Sequence, residues 1–283
     1  KGESLLRRAF GMHALTLGQL LAAEAVSTEL LDRFTGLFIG DSSSIRLPDE
    51  MQAEFPGCGG TDGSCLAALK IQVRWDLKTG ALPQVLIEIG KASDAKSPIA
   101  HQEPQAGALE IFDLGYFSLE RFRRLDAAKA VFVSRLQHGT MVFDRHGRAV
   151  SLRTFLPANE KQGVVDVPVQ LGQGERLPCR LIAVRVPEEI ANRRRQKARD
   201  KARKHGRELS PEYSELLAWS LFVTNASEES LTWKEVVVLY RARWQIELLF
   251  KLWKSHNQLA RQRPGATAQE AMAVLWSKLI GVM

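Results

Sequence analysis

Tyr240-Arg241-Ala242-Arg243-Trp244-Gln245-Ile246-Glu247-Leu248-Leu249-Phe250-Lys251-Leu252-Trp253-Lys254 is the most informative stretch of this 283-residue chain. It lies inside a pattern that predicts one long helix from Thr232 to His256, with Thr232 at the N-cap and Glu235 completing a capping box. Side chains on a helix rotate by about 100° per residue, so with Tyr240 at zero, Arg243 falls near 300°, Glu247 near 340° and Lys254 near 320°. All four share one face, within about 60° of arc. One carboxylate therefore sits among two cations and a phenol. Leu248, Leu249, Leu252 and Trp253 occupy the remaining faces, so the helix is expected to be packed on several sides. By spacing alone, a partly buried helix with i,i+4 ion pairs accounts for the pattern as well as a reactive site does.

Two more carboxylates stand upstream in apolar settings. Residues 13–34 carry leucines at helical spacing and predict a helix ending before Gly36. Leu37-Phe38-Ile39-Gly40 then reads as a short buried strand ending at Asp41. Gly57 to Ser64 is a loop by composition. Ala67 to Leu77 and Leu82 to Ile89 read as two strands joined by a hairpin turn at Lys78-Thr79-Gly80. Leu109 to Phe112 is a fourth strand, ending at Asp113. Leu119 to Lys129 is an amphipathic helix, and Ala130 to Val133 a fifth strand leading to Arg135. Strands first in a meander and then alternating with a helix predict an α/β domain. A lone Asp at a strand end is commonly a turn or cap residue. Two of them in adjacent apolar strands, with Glu247 on a helix, are harder to dismiss as turn residues.

From about residue 137 the texture changes. Thr140 to Phe143, Ala149 to Thr154, Val165 to Val169 and Cys179 to Val186 read as short strands between turns. The stretch 193–207 holds nine Lys or Arg and one Asp. Such a run is either a solvated helix face or a phosphate-backbone contact, with Arg193, Arg194, Arg195 and Lys197 as the leading candidates. Leu216 to Thr224 returns to a strand pattern and contains Trp219. A net charge of +7 and a pI of about 9.4 favour a polyanionic partner, and no apolar run approaches the roughly 18 residues that span a bilayer. Cys58, Cys65 and Cys179 are too few for a disulfide scaffold and suit free thiols in a reducing cytoplasm. Neither Lys1 nor the apolar helical pattern at the other end reads as a natural terminus, so a longer parent protein is expected. Gly90-Lys91-Ala92-Ser93 fails as a P-loop, because Val85 and Ala92 stand where Gly and a hydroxyl residue are needed. No G-x-S-x-G elbow supports a hydrolase.

The spacing of Tyr240, Arg243, Glu247 and Lys254 resembles the Y-x2-R-x3-E-x6-K signature of DDE transposases from bacterial insertion sequences, and the filler Arg243-Trp244-Gln245-Ile246-Glu247 is typical of them. Asp41, followed by Ser42-Ser43-Ser44, resembles their first catalytic Asp. Asp113-Leu114-Gly115-Tyr116-Phe117 resembles the motif of the second, and Phe132-Val133-Ser134-Arg135 their strand ending in Arg. The resemblance covers about residues 35–280. It implies a ribonuclease H-like mixed sheet flanked by helices and interrupted by a β-rich insertion. The segments would be an N-terminal helical linker at 1–34, core at 35–136, the insertion with its basic helix at 137–230, and core again at 231–283. Asp41, Asp113 and Glu247 would hold two Mg²⁺ ions, for which Mn²⁺ would substitute. Tyr240, Arg243, Lys254 and Arg135 would hold DNA phosphates, and Trp219 would stack on a flipped base. The function implied is cleavage and strand transfer at insertion-sequence ends, by a homodimer on double-stranded DNA in the bacterial cytoplasm. An endonuclease without strand transfer, and a non-catalytic DNA-binding derivative, are the alternatives.

Overall fold

Residues 28–59, 65–256, 258–259 and 265–280 are described by the computed structural model of the chain. In chain order the elements begin with α1 (Thr28–Asp32), β1 (Leu37–Arg46), β2 (Pro56–Gly59), β3 (Cys65–Asp76), β4 (Gln84–Ile89) and β5 (Leu109–Phe112). Then follow α2 (Leu119–Ala127), β6 (Val131–Arg135), β7 (Val142–Phe143), α3 (Leu152–Asn159), β8 (Val164–Leu171), β9 (Leu177–Arg185), α4 (Glu188–Lys204) and α5 (Pro211–Leu216). The last are β10 (Trp219–Thr224), α6 (Trp233–Ala242), α7 (Trp244–His256) and α8 (Ala268–Ile280). The chain divides into two units. One comprises residues up to 116, 128–130 and those from 238 onward; the other comprises 117–127 and 131–237.

In the first unit β1 is the central strand. It pairs antiparallel with β3 and parallel with β5, while β2 and β4 pair with β3. Leu37, Ile39, Val73, Trp75, Leu109 and Ile111 on one face, and Phe38, Arg74, Glu110 and Phe112 on the other, are all buried, the continuous burial expected of strands covered on both faces. The sheet buries one ion pair as well. Arg74 Nη2 donates to Glu110 Oε1 at 3.1 Å, and its guanidinium lies 3.5 Å from the centre of the Phe38 ring. Burial lowers the Arg74 pKa, and the Glu110 carboxylate opposes that drop. Helix α7 packs against β1, with Ile246, Leu249 and Trp253 buried, and α8 buries Leu275, Trp276 and Leu279. The predicted α/β class with a mixed sheet and flanking helices is observed, and it is compatible with a ribonuclease H-like fold.

In the second unit the strands pair antiparallel in the order β6-β10-β9-β8-β7. Arg180 on β9 makes two short bonds to Asp166 on β8 and donates Nη1 to the Ala226 and Leu231 carbonyls. Phe122 of α2 stacks on Phe132 of β6 at 4.3 Å. Pocketed polar groups of this kind stabilise only when every partner is present, and here one guanidinium is bonded from both sides.

Several expectations are corrected. Asp41 does not end β1 but stands in its middle, because backbone pairing with β3 continues as far as Arg46. Of the loop expected at 57–64, residues 57–59 instead belong to β2, paired with β3, while 60–64 lie outside the described residues. Residues 149–154 are not a strand: Leu152, Phe155 and Leu156 stand at helical spacing, and α3 buries Leu156. The strand expected from Leu216 starts at Trp219, since Ser210 caps α5 by accepting from the Tyr213 amide and Pro211 fills the first helical position. Of the helix expected at 13–34, residues 28–32 are helical and those before 28 lie outside the described residues. The long helix from Thr232 is two helices, broken at Arg243. The predicted Thr232–Glu235 capping box does form, with Thr232 N donating to Glu235 Oε2 at 2.8 Å.

Gly40 marks the tightest point of the sheet. A Cβ there would come within 2.0 Å of the Phe112 ring, which lies across it from the neighbouring strand. Gly40→Ala is expected to destabilise the protein by roughly 1–3 kcal/mol through this overpacking, with partial recovery on adding Phe112→Leu. Urea unfolding of the two variants checks this; a Gly40→Ala protein as stable as its parent would contradict the packing described.

Candidate active site

The parallel register of β1 and β5 sets the site. Gly40 stands opposite Phe112, so the next residue on each strand is an aspartate, Asp41 beside Asp113. Asp113 leaves β5 and opens a tight 3-10 turn, with its carbonyl accepting the Tyr116 amide at 2.9 Å. The third carboxylate, Glu247, projects from the first turn of α7. Sequence separations of 72 and 134 residues are closed by the fold alone.

Arg243 ties them together. Its Nη1 donates to Asp41 Oδ2 at 2.6 Å, its Nη2 donates to Glu247 Oε1 at 2.7 Å, and its Nε lies 3.9 Å from Asp113 Oδ1. The residue occupies the break between α6 and α7, where Arg243 N bonds the Tyr240 carbonyl and Ile246 N bonds the Arg243 carbonyl, both three residues back. The result is a cavity of about 340 Å³ lined by Asp41, Ser42, Ser43, Asp113, Arg243, Glu247, Phe250, Lys251 and Lys254. Three carboxylates and three cations share it. Five of the residues read from the sequence as catalytic or phosphate-binding, Asp41, Asp113, Arg243, Glu247 and Lys254, line one space. Tyr240 is not among the lining residues; its ring lies 5.7 Å from the Arg243 guanidinium. Ser42, Ser43, Phe250 and Lys251 were not anticipated as lining. Their signal in the sequence was position only, beside Asp41 for the serines and one helical turn after Glu247 for Lys251.

Burial pushes the Asp41 carboxyl up to about 6, against the opposing pull of Arg243 and of the Ser42 amide, which donates to Oδ1 at 2.8 Å. The charges of Asp113 and Glu247 add to the rise. Burial also works against the Arg243 charge, yet the surrounding carboxylates, Asp41 foremost, outweigh it and raise its pKa. Lys254 is exposed as a residue, but loss of water around its ammonium lowers its pKa. The three carboxylates are matched in number by Arg243, Lys251 and Lys254, and the Arg243 guanidinium is the cation bonded to Asp41 and Glu247. All its anionic donors are oxygens, the chemistry that Mg²⁺ and Mn²⁺ take. Among the described residues no three such side chains already stand close enough to share one ion, because the guanidinium lies between them.

The other residues singled out from the sequence belong to the second unit. Trp219 is buried, with the Arg185 guanidinium 4.6 Å from its ring. Arg194 donates to the Trp219 carbonyl and to Ser220 Oγ, and Arg195 donates to the Ser214 carbonyl, Glu188 and Asn192. These two cations are thus committed to holding α4 in place. Arg193 pairs with Glu189 on the surface, and Arg135 and Lys197 are exposed. Burial, and then the nearby Arg135, lower the Arg194 pKa.

Asp41 gives the site a measurable pH dependence. Its folded pKa lies above its unfolded value, so folding favours the protonated form. The associated stability is fully present below about pH 4 and is lost as the pH rises through 6. In metal-free buffer at pH 8, Asp41→Asn should therefore be more stable than its parent, by at most about 3 kcal/mol, with the gap closing toward pH 4. Urea midpoints at the two pH values check it; an Asn variant that is less stable at pH 8 would show that the Arg243 pair dominates instead.

Comparison with known proteins identifies a family. Residues 32–278 match the family model described as the transposase DDE domain. The transposase for insertion sequence element IS1151 of Clostridium perfringens is 26% identical over 270 residues, covering 88% of this chain and 56% of that protein. The transposase for insertion sequence element IS231C of Bacillus thuringiensis subsp. berliner is 29% identical over 264 residues, covering 87% of this chain and 55% of its own length. The putative transposase InsL for IS186A of Escherichia coli K12 is 27% identical over 262 residues, 88% of this chain and 65% of that one. The chain thus spans a little over half the length of the first two of these relatives. Among the described residues no helix is long and apolar enough to cross a membrane. With the match covering residues 32–278, most of its length, the chain belongs to the transposase DDE domain family.

Proposed function

We propose that this chain carries the catalytic centre of an insertion-sequence transposase, which cleaves DNA at the element's ends and joins them to a target. The observation that carries this reading is the meeting of Asp41, Asp113 and Glu247, from three separate elements, around one guanidinium in one cavity. Asp41, Asp113 and Glu247 would hold two divalent ions, Mg²⁺ or in its place Mn²⁺. Bound there, the ions would activate the attacking water or 3′-hydroxyl and stabilise the leaving oxygen.

The chain's own residues do the rest. The ionised form of Asp41 is disfavoured by burial, so an added cation in the cavity is bound partly by relief of that cost. Arg243, released from the carboxylates, has the planar fork that suits a phosphate, and Lys251 and Lys254 bring two further charges to the same cavity. With Tyr240, they would orient the scissile phosphate for in-line attack. Exposed cations of the second unit, Arg135 and Lys197 with Arg193, would track the DNA backbone away from the reacting bond. Trp219 would reach a base only by exchanging its Arg185 cover for a nucleobase face. We further propose that residues 137–230 are an insertion into the catalytic core, that the partner is double-stranded DNA, and that two subunits pair the two ends in the bacterial cytoplasm.

The test is cleavage of a plasmid carrying the element's ends by the full-length parent protein, with Mg²⁺ or Mn²⁺ and without. Glu247→Gln should cut far more slowly, by more than the roughly 10- to 100-fold that residues supporting a metal site are worth, while DNA binding persists. Equal cutting by the variant, or cutting that needs no metal, would remove Glu247 from the reaction.

A further inference from the structure

The turn that presents Asp113 is tied to the sheet by a chain of polar groups, buried at Tyr116 and Gln72, that has no part in the reaction as described so far. Tyr116 closes that turn and is almost fully buried, and its hydroxyl donates to Gln72 Oε1 at 2.7 Å. Gln72, on β3, is inaccessible, and its Nε2 donates in turn to Glu88 Oε2 on β4. Gln72 also stands directly opposite Ser42, the residue after Asp41, in the β1–β3 register. A second clamp lies one residue away. Lys70 of β3 bonds Asp94, and a Cβ on Gly115 would come within 2.7 Å of that Asp94 carboxylate, so the turn is seated against it.

A tyrosine placed here only to fill volume would not need its hydroxyl, since Ile99, Ala100 and Phe112 already surround its ring with apolar groups. A buried hydroxyl and a buried amide instead require each other, and that requirement fixes the turn to one position on the sheet. We infer that Tyr116 and Gln72 are positioning residues for Asp113. Through the phenol–amide–carboxylate chain to Glu88, they fix the turn that carries Asp113 against β3, and so limit where its carboxylate can meet a divalent ion. The inference rests on the proposed role of Asp113 as a metal ligand.

Mn²⁺ binding by the full-length parent protein, followed by electron paramagnetic resonance, tests it without reliance on turnover. Tyr116→Phe keeps the ring and removes only the donor; Gln72→Met breaks the same bond from the other side. Each should weaken Mn²⁺ binding roughly 10-fold, the lower end of what outer-shell partners contribute, and the double variant should be no worse than either single one. Ile99→Val, in the same apolar cluster but outside the bond, should lower the thermal midpoint and leave Mn²⁺ affinity unchanged. Parental Mn²⁺ affinity in both Tyr116→Phe and Gln72→Met, with a loss in Asp113→Asn, would overturn the positioning role and leave the ligand role standing. An equal loss in Ile99→Val would reduce the effect to general stability and also overturn it. Parental affinity in Asp113→Asn would remove the ligand role itself, and the inference with it.

Discussion

The parallel pairing of β1 with β5 is the constraint from which the site follows. It sets Gly40 against Phe112 and thereby brings two aspartates to adjacent positions on neighbouring strands. Like charges so placed repel, and burial raises the cost for Asp41 in particular. The fold answers with a single guanidinium. Arg243 reaches Asp41 and Glu247 at hydrogen-bond distance and lies near Asp113, so one cation joins β1, the turn after β5, and α7. Glycine at 40 is part of the same arrangement, since only the absence of a side chain lets Phe112 lie flat across β1.

The break between α6 and α7 belongs to this arrangement too. A continuous helix would keep Tyr240, Arg243, Glu247 and Lys254 in one row along its surface. Two helices meeting at Arg243 instead leave that residue at a junction, with tight three-residue hydrogen bonds on either side. Its side chain lies against carboxylates from other elements as well as against Glu247, its neighbour one turn on. Lys254 still lines the cavity, whereas Tyr240 stays behind the guanidinium. Three of the four residues thus line the cavity, and Tyr240 does not.

Charge in the second unit divides in a comparable way. Cations that look equivalent along 193–197 are not equivalent in the fold. Arg194 and Arg195 bond carbonyls and side chains of β10, α5 and their own helix, while Lys197 faces solvent. A guanidinium carries five donors in a fixed planar fork against the three of an ammonium, so it can tie together more acceptors from separate elements. The surface cations left over are the ones with freedom to meet a phosphate backbone.

Legible in the residues alone were the class of the fold, the start of β1, the places of β3, β4 and β5, the capping box at Thr232, and the candidacy of Asp41, Asp113 and Glu247. These are legible because burial on both faces leaves continuous apolar runs, and because capping and ion-pair chemistry act over three or four residues. Only the tertiary structure decided the rest. That β1 runs on past Asp41 depends on hydrogen bonds to β3, some thirty residues away in the chain. That residues 152–159 are helical rather than extended turned on where Leu156 is buried, which a short amphipathic segment does not disclose. The contact of Arg243 with Asp41 spans 202 positions, and the bond from Tyr116 to Gln72 spans 44. Such contacts have no periodicity to betray them, because their geometry is set by strand order and register and not by the residues between.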